Sequence, residues 1–134
     1  MHKILIRWST THLLMVSHHP CLIQIHSLKD AQCEIQNIGS DPQSINIMAP
    51  KAVFRIVKLH HVVIQDAIII KQDMLSVGGE VAIPKEAFEL KEKEADILLM
   101  GTLQHFRELI IKLKRHYPRI QTISQELSEF INTF

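Results

Sequence analysis

The architecture of this chain turns on one stretch, Val63-Ile64-Gln65-Asp66-Ala67-Ile68-Ile69-Ile70-Lys71-Gln72-Asp73-Met74-Leu75-Ser76-Val77-Gly78-Gly79-Glu80-Val81-Ala82. Val63, Ala67, Ile70, Met74 and Val77 recur at spacings of four and three, one stripe along a helix about four turns long. Ile64, Ile68 and Leu75 widen that stripe beyond what a surface helix carries, so a largely buried helix is expected. Gly78-Gly79 ends it, because glycine accepts the left-handed conformation that closes a helix. Residues 80–84 then read as a strand, with Val81 and Ile83 on one face.

Downstream, residues 85–94 are highly charged and read as a surface excursion with some helix. Ile97-Leu98-Leu99-Met100 is an unbroken apolar run that suits a strand buried on both faces. Gly101-Thr102 turns the chain into a helix with Leu103, Phe106, Ile110 and Leu113 on one side. Pro118 separates it from a last helix, for which Thr122 and Gln125 have capping-box spacing and Ile123, Leu127, Phe130, Ile131 and Phe134 form the inner face. Upstream, residues 22–25 read as a short strand. Ser27 caps a helix with Asp30 three places on, and Leu28, Ala31, Ile35 and Ile38 repeat at helical spacing before Gly39. Residues 45–48 alternate like a strand. Ala49-Pro50 is read as the start of a second helix, running to His60-His61, with Ala52, Val53, Ile56, Val57 and Leu59 inside. Two strand-like runs, residues 3–8 and 12–16, stand in front.

The expected order is therefore β-α-β-α-α-β-β-α-α, an α/β sandwich of about four strands with helices packed on the sheet. Residues 1–20 read as an N-terminal extension and residues 21–134 as one α/β domain. A length of 134 residues fits a single core, and 46% apolar with 22% charged residues is an ordinary globular balance. A net charge of +1 provides no bulk attraction for a polyanion, so no nucleic-acid partner is expected. Apolar runs fall short of the length of a membrane span, and no membrane partner is expected. Arg7 interrupts the first apolar stretch and no small-x-small cleavage site follows, against a signal peptide. Two cysteines, Cys21 and Cys33, in neither CxxC nor metal spacing, fit a reduced, cytoplasmic chain.

Three stretches in sequence carry a resemblance: Ile47-Met48-Ala49-Pro50-Lys51-Ala52-Val53-Phe54-Arg55, the run from Ile70 to Ala82, and Asp96-Ile97-Leu98-Leu99-Met100-Gly101-Thr102-Leu103 continuing to Phe106-Arg107. In this order and spacing the chain resembles the N-terminal accessory domain of one branch of the dihydropteroate synthases, over residues 22–132. The resemblance implies folate biosynthesis, a transferase acting on a pterin substrate, and a (β/α)8 barrel as partner. It departs from the family where the barrel's Asn-Val-Thr-Pro-Asp-Ser-Phe-type segment would begin. A barrel of about 250 residues has no room in this chain. The expectation is an accessory module that is not catalytic alone, without a cofactor, packing against a synthase barrel or self-associating. The alternative is a free-standing small-molecule-binding or regulatory domain with a pocket near Lys51, Lys71 and Gly78-Gly79.

Candidate binding residues are Lys51, Arg55, Lys71, Gln72, Gly78, Gly79 and Glu80; no catalytic residue or metal ligand is assigned. Gly78 and Gly79 would let a ligand approach the backbone, with Lys71 meeting an anionic group, but they lie at the helix's negative pole, and a left-handed cap followed by a tight turn is the favoured reading. Glu80 gains nothing from that pole and is expected to pair with Lys71 or Lys51, or with a partner. Lys51 and Arg55, four apart, would share a face of the second helix, whose start could hold an anion. His18-His19 and His60-His61 are adjacent pairs that cannot both address one ion from regular structure. No nucleophile elbow or phosphate-binding loop occurs.

Overall fold

A computed structural model describes residues 16–89 and 93–134. The expected strands at residues 3–8 and 12–16 fall outside it, save for Val16. Five helices are present among the described residues: α1 (Leu28–Ile38), α2 (Pro42–Met48), α3 (Ile64–Val77), α4 (Leu103–Leu113) and α5 (Pro118–Phe130). Three strands, β1 (Phe54–Val63), β2 (Glu80–Ala82) and β3 (Glu94–Thr102), form one antiparallel sheet in the order β1-β3-β2. The α/β class stands, with three strands among the described residues where about four are expected.

Helix ends follow their local chemistry. The Ser27 hydroxyl accepts from the Asp30 N–H at 3.1 Å, and the Asp30 carboxylate reaches back to the His26 N–H at 2.9 Å. Both of those donors would otherwise be unsatisfied at the helix start. Gly39 (φ 86°) and Gly78 (φ 105°) close α1 and α3 in the left-handed region. At α4 a histidine completes the capping box: the Thr102 hydroxyl accepts from the His105 N–H (3.2 Å), and His105 Nδ1 accepts from the Thr102 N–H (3.0 Å). Helix α5 starts at Pro118 with Tyr117 as its cap residue, so Thr122 lies inside the helix, donating to the Pro118 carbonyl at 3.1 Å.

The span between α1 and α3 departs most from expectation. Residues 22–25 form no strand, and residues 45–48 belong to α2, which Asp41 caps through the Gln43 N–H at 3.0 Å. Pro50 lies in a short 3-10 turn, Ala49–Ala52, and the expected second helix is the ten-residue strand β1. Four alternating residues cannot distinguish strand from helix, while the β-branched Ile56, Val57, Val62 and Val63 favour the pleated conformation.

Burial alternates along β3, with Ile97, Leu99 and Gly101 inward and Leu98 and Met100 only partly covered, so this central strand is buried on one face rather than both. Val57, Val62, Val81, Ile97 and Leu99 meet Ala67, Ile70 and Met74 of α3, Phe106, Leu109, Ile110 and Leu113 of α4, and Ile120 and Leu127 of α5. A fully buried aliphatic or aromatic side chain contributes roughly 1.5–3 kcal/mol. A second cluster of Ala31, Ala49, Val53 and Leu103 joins α1 and the 3-10 turn to α4. The opposite sheet face bears the cross-strand rows Phe54/Thr102, Ile56/Met100/Glu80 and Lys58/Leu98/Ala82. Phe54 and Ile56 are 56% and 60% exposed there, so that face is open and partly apolar.

Candidate functional site

The candidate residues divide between two places. Lys71 Nζ donates to Glu80 Oε1 at 3.1 Å and to the Val81 carbonyl at 2.6 Å, fastening the end of α3 to β2. The Val81 N–H and then Lys71 hold the Glu80 carboxyl below its usual range. Gly78 and Gly79 form the turn between these elements. A Cβ on Gly79 would meet the Met74 side chain at 2.8 Å, and one on Gly78 would meet His105 Nε2 at 3.1 Å, so side chains of the protein itself fill the approach. Gln72 is exposed on α3. Lys51 is exposed on the 3-10 turn, whereas Arg55 is on β1, donating to the His26 carbonyl (2.5 Å) and lying 5.6 Å over the Phe134 ring. The shared helical face expected for Lys51 and Arg55 does not exist, because β1 replaces that helix.

A cleft of about 540 Å³ opens elsewhere, between β1 and α5. Val57, Lys58, Leu59, His60, His61, Val62 and Val63 form one wall, and Arg119, Thr122, Ile123, Glu126, Leu127 and Phe130 the other. None of the seven candidate residues lines it. At one end Asp66, from the first turn of α3, is 1% exposed. Its carboxylate accepts from Arg119 Nε (2.5 Å), Arg119 Nη2 (2.9 Å) and the Tyr117 hydroxyl. Burial works to raise this carboxyl, but the hydrogen bonds from Arg119 and Tyr117 together outweigh it and hold Asp66 below the usual carboxylate range. Hydrogen bonding to Asp66 in turn raises the Tyr117 phenol and the Arg119 guanidinium. The buried acid thereby fixes a half-exposed guanidinium at the cleft.

The strand wall has its own irregularity. Pairing with β3 shifts register between Leu59 and Val62, a bulge in which His61 adopts φ 55°. A non-glycine residue in that region is uncommon and needs support. The support is Asp96, whose carboxylate accepts the His61 N–H at 3.3 Å and meets His60 Nδ1 at 3.3 Å; the His61 bond, first, and His60 hold this carboxyl below its usual range. The sequence does not show that Asp66 joins Tyr117 and Arg119, because 51 and 53 residues separate the partners. Asp66, set directly before the apolar run Ala67-Ile68-Ile69-Ile70, is the signal that could have found them, since a buried charge demands a partner.

Over 105 residues the chain is 28% identical to a bifunctional dihydropteroate synthase/dihydropteroate reductase of Helicobacter pylori. The chain is similar to a region of that bifunctional enzyme. The match covers 78% of this chain but 27% of the relative, so the chain corresponds to a minor part of that dihydropteroate synthase enzyme. No family model matches the chain, and no solved structure matches it significantly. Among the described residues, no helix is long and apolar enough to cross a membrane.

Proposed function

We propose that this chain is the accessory, non-catalytic unit of a dihydropteroate synthase in folate biosynthesis, docking on the catalytic portion through the open face of its sheet. The observation that carries the reading is that face. It presents Phe54, Ile56, Leu98, Met100 and Ala82 between the flanking charges Lys58 and Glu80, Phe54 and Ile56 stand more than half exposed, and the helices pack on the other side. Contiguous exposed apolar surface marks interaction sites. The relation to a dihydropteroate synthase-containing enzyme that is mostly longer sequence supports a partner of that kind.

A specific contact would bury at least about 1,000 Å² in total. The test mixes the full chain with the Helicobacter pylori enzyme lacking its matched 105 residues and follows complex formation by sedimentation velocity. A stoichiometric complex that Ile56→Glu abolishes is expected. Independent sedimentation of the two proteins at tens of micromolar would overturn the proposal.

A further inference from the structure

Among the described residues β1 is an edge strand, since the sheet order gives it β3 on one side and no strand on the other. Among the described residues, no hydrogen bond outside the β1–β3 ladder engages the main chain of Val57, Lys58, Leu59 or His60. In an antiparallel pair every second residue directs its N–H and C=O away from the partner, so this edge presents unpaired donors and acceptors. The cleft touches all of residues 57–63, without alternation. A cavity lying over one face of a strand would meet every second side chain; one that meets them consecutively runs along the edge.

The opposite wall has the same extent. Arg119, Thr122, Ile123, Glu126, Leu127 and Phe130 form one stripe of α5, spanning about 16 Å at the helical rise. The seven strand residues are comparably long, about 20 Å. The cleft is thus a groove with a hydrogen-bonding edge on one side and an amphipathic helix on the other. Ile123 and Phe130 offer apolar purchase above the buried Leu127. Lys58 and Glu126, one on each wall, form no ion pair with any described residue, so the groove carries one uncompensated charge of each sign.

We infer that this groove binds an extended peptide segment, which adds to the β1 edge as a fourth strand and sets alternate side chains against α5. The main chain of β1 supplies affinity and the α5 stripe supplies side-chain preference, the usual division in strand addition. The Asp66–Arg119–Tyr117 cluster holds the start of α5 against α3 and keeps the groove open to a fixed width. The bulge at His60 and His61 ends the regular edge, so pairing centres on Val57, Lys58 and Leu59. This inference concerns the edge and stands apart from docking through the open face.

The test selects random dodecapeptides displayed on phage against the full chain, then titrates the best synthetic peptide into isotope-labelled protein. Expected are backbone amide shifts confined to residues 56–63 and 119–130, and protection from exchange of one alternate set of β1 amides. Proline substituted through the peptide should lower affinity at least tenfold at every second position. Phe130→Ala, at a half-exposed groove residue whose ring also lies edge-on to Phe134, should weaken binding while the amide spectrum of the unliganded protein stays that of the folded chain. No enriched peptide, shifts centred on the open sheet face, or affinity indifferent to proline would overturn the inference. So would the same amides shifting with protein concentration alone, which would assign the groove to a second copy.

Discussion

Replacing Asp66 by Asn tests whether the buried carboxylate is what fixes α5. The wild-type side chain is 1% exposed and accepts three hydrogen bonds, two of them from a guanidinium. Hydrogen bonds to a charged group contribute roughly 1.5–3 kcal/mol each when partners stay buried. Arg119 is half exposed and regains water when released, and Asn keeps one acceptor, so the net loss should be about 2–3 kcal/mol. For a domain of this size that lowers the melting temperature by about 8–12 °C. Urea unfolding at a series of pH values provides the assay. The folded Asp66 carboxyl is held below its ordinary value of 3.8, so its contribution is complete above that value and disappears as pH falls through the lower folded one. The difference between wild type and variant should therefore be constant from about pH 5 to 8 and narrow progressively as pH falls below about 4, where the unfolded chain takes up the proton first. A loss under about 0.5 kcal/mol at pH 7, or a gap unchanged at pH 2, would refute the reasoning.

Three further outcomes follow from packing and caps. Gly79→Ala places a methyl 2.8 Å from the fully buried Met74 side chain; overpacking should cost about 1–3 kcal/mol in chemical denaturation, and a double-mutant cycle should show a smaller cost in the Met74→Ala background, where the clash is gone. Leu99→Ala, on the covered sheet face, should cost about 2–5 kcal/mol, whereas Ile56→Ala on the open face should stay within about 0.5 kcal/mol; similar losses would contradict the assignment of the two faces. Ser27→Ala removes the acceptor for the Asp30 N–H and should cost about 1 kcal/mol, seen as a lower urea midpoint with unchanged slope.

Elements bounded by stop and start signals were readable in sequence. α1 has Ser27 and Gly39 and α3 has Gly78, and each of these residues acts by a local backbone conformation that needs no distant partner. The region from Pro42 to Val63 opens on a start signal, Asp41 with Pro42, that fits a turn as well as a helix, and has no glycine stop. Ile45-Asn46-Ile47-Met48 fits both periods, and Val53, Ile56 and Val57 have helical spacing although tertiary pairing with β3 makes them extended. That misreading placed Lys51 and Arg55 on a common face. The Lys71–Glu80 pair was legible because the helix end and the following strand are adjacent in sequence. The groove was not, since its walls are joined only by the fold.

The placement of β3 between β1 and β2 has a consequence for synthesis. The first two strands never touch each other through hydrogen bonds; each waits for residues 94–102. A ribosome that has released β1, α3 and β2 has made no sheet at all, and two unpaired strands stay uncovered until the last one emerges. Stalling or cleavage before residue 94 therefore leaves fragments bound for aggregation rather than a smaller stable core.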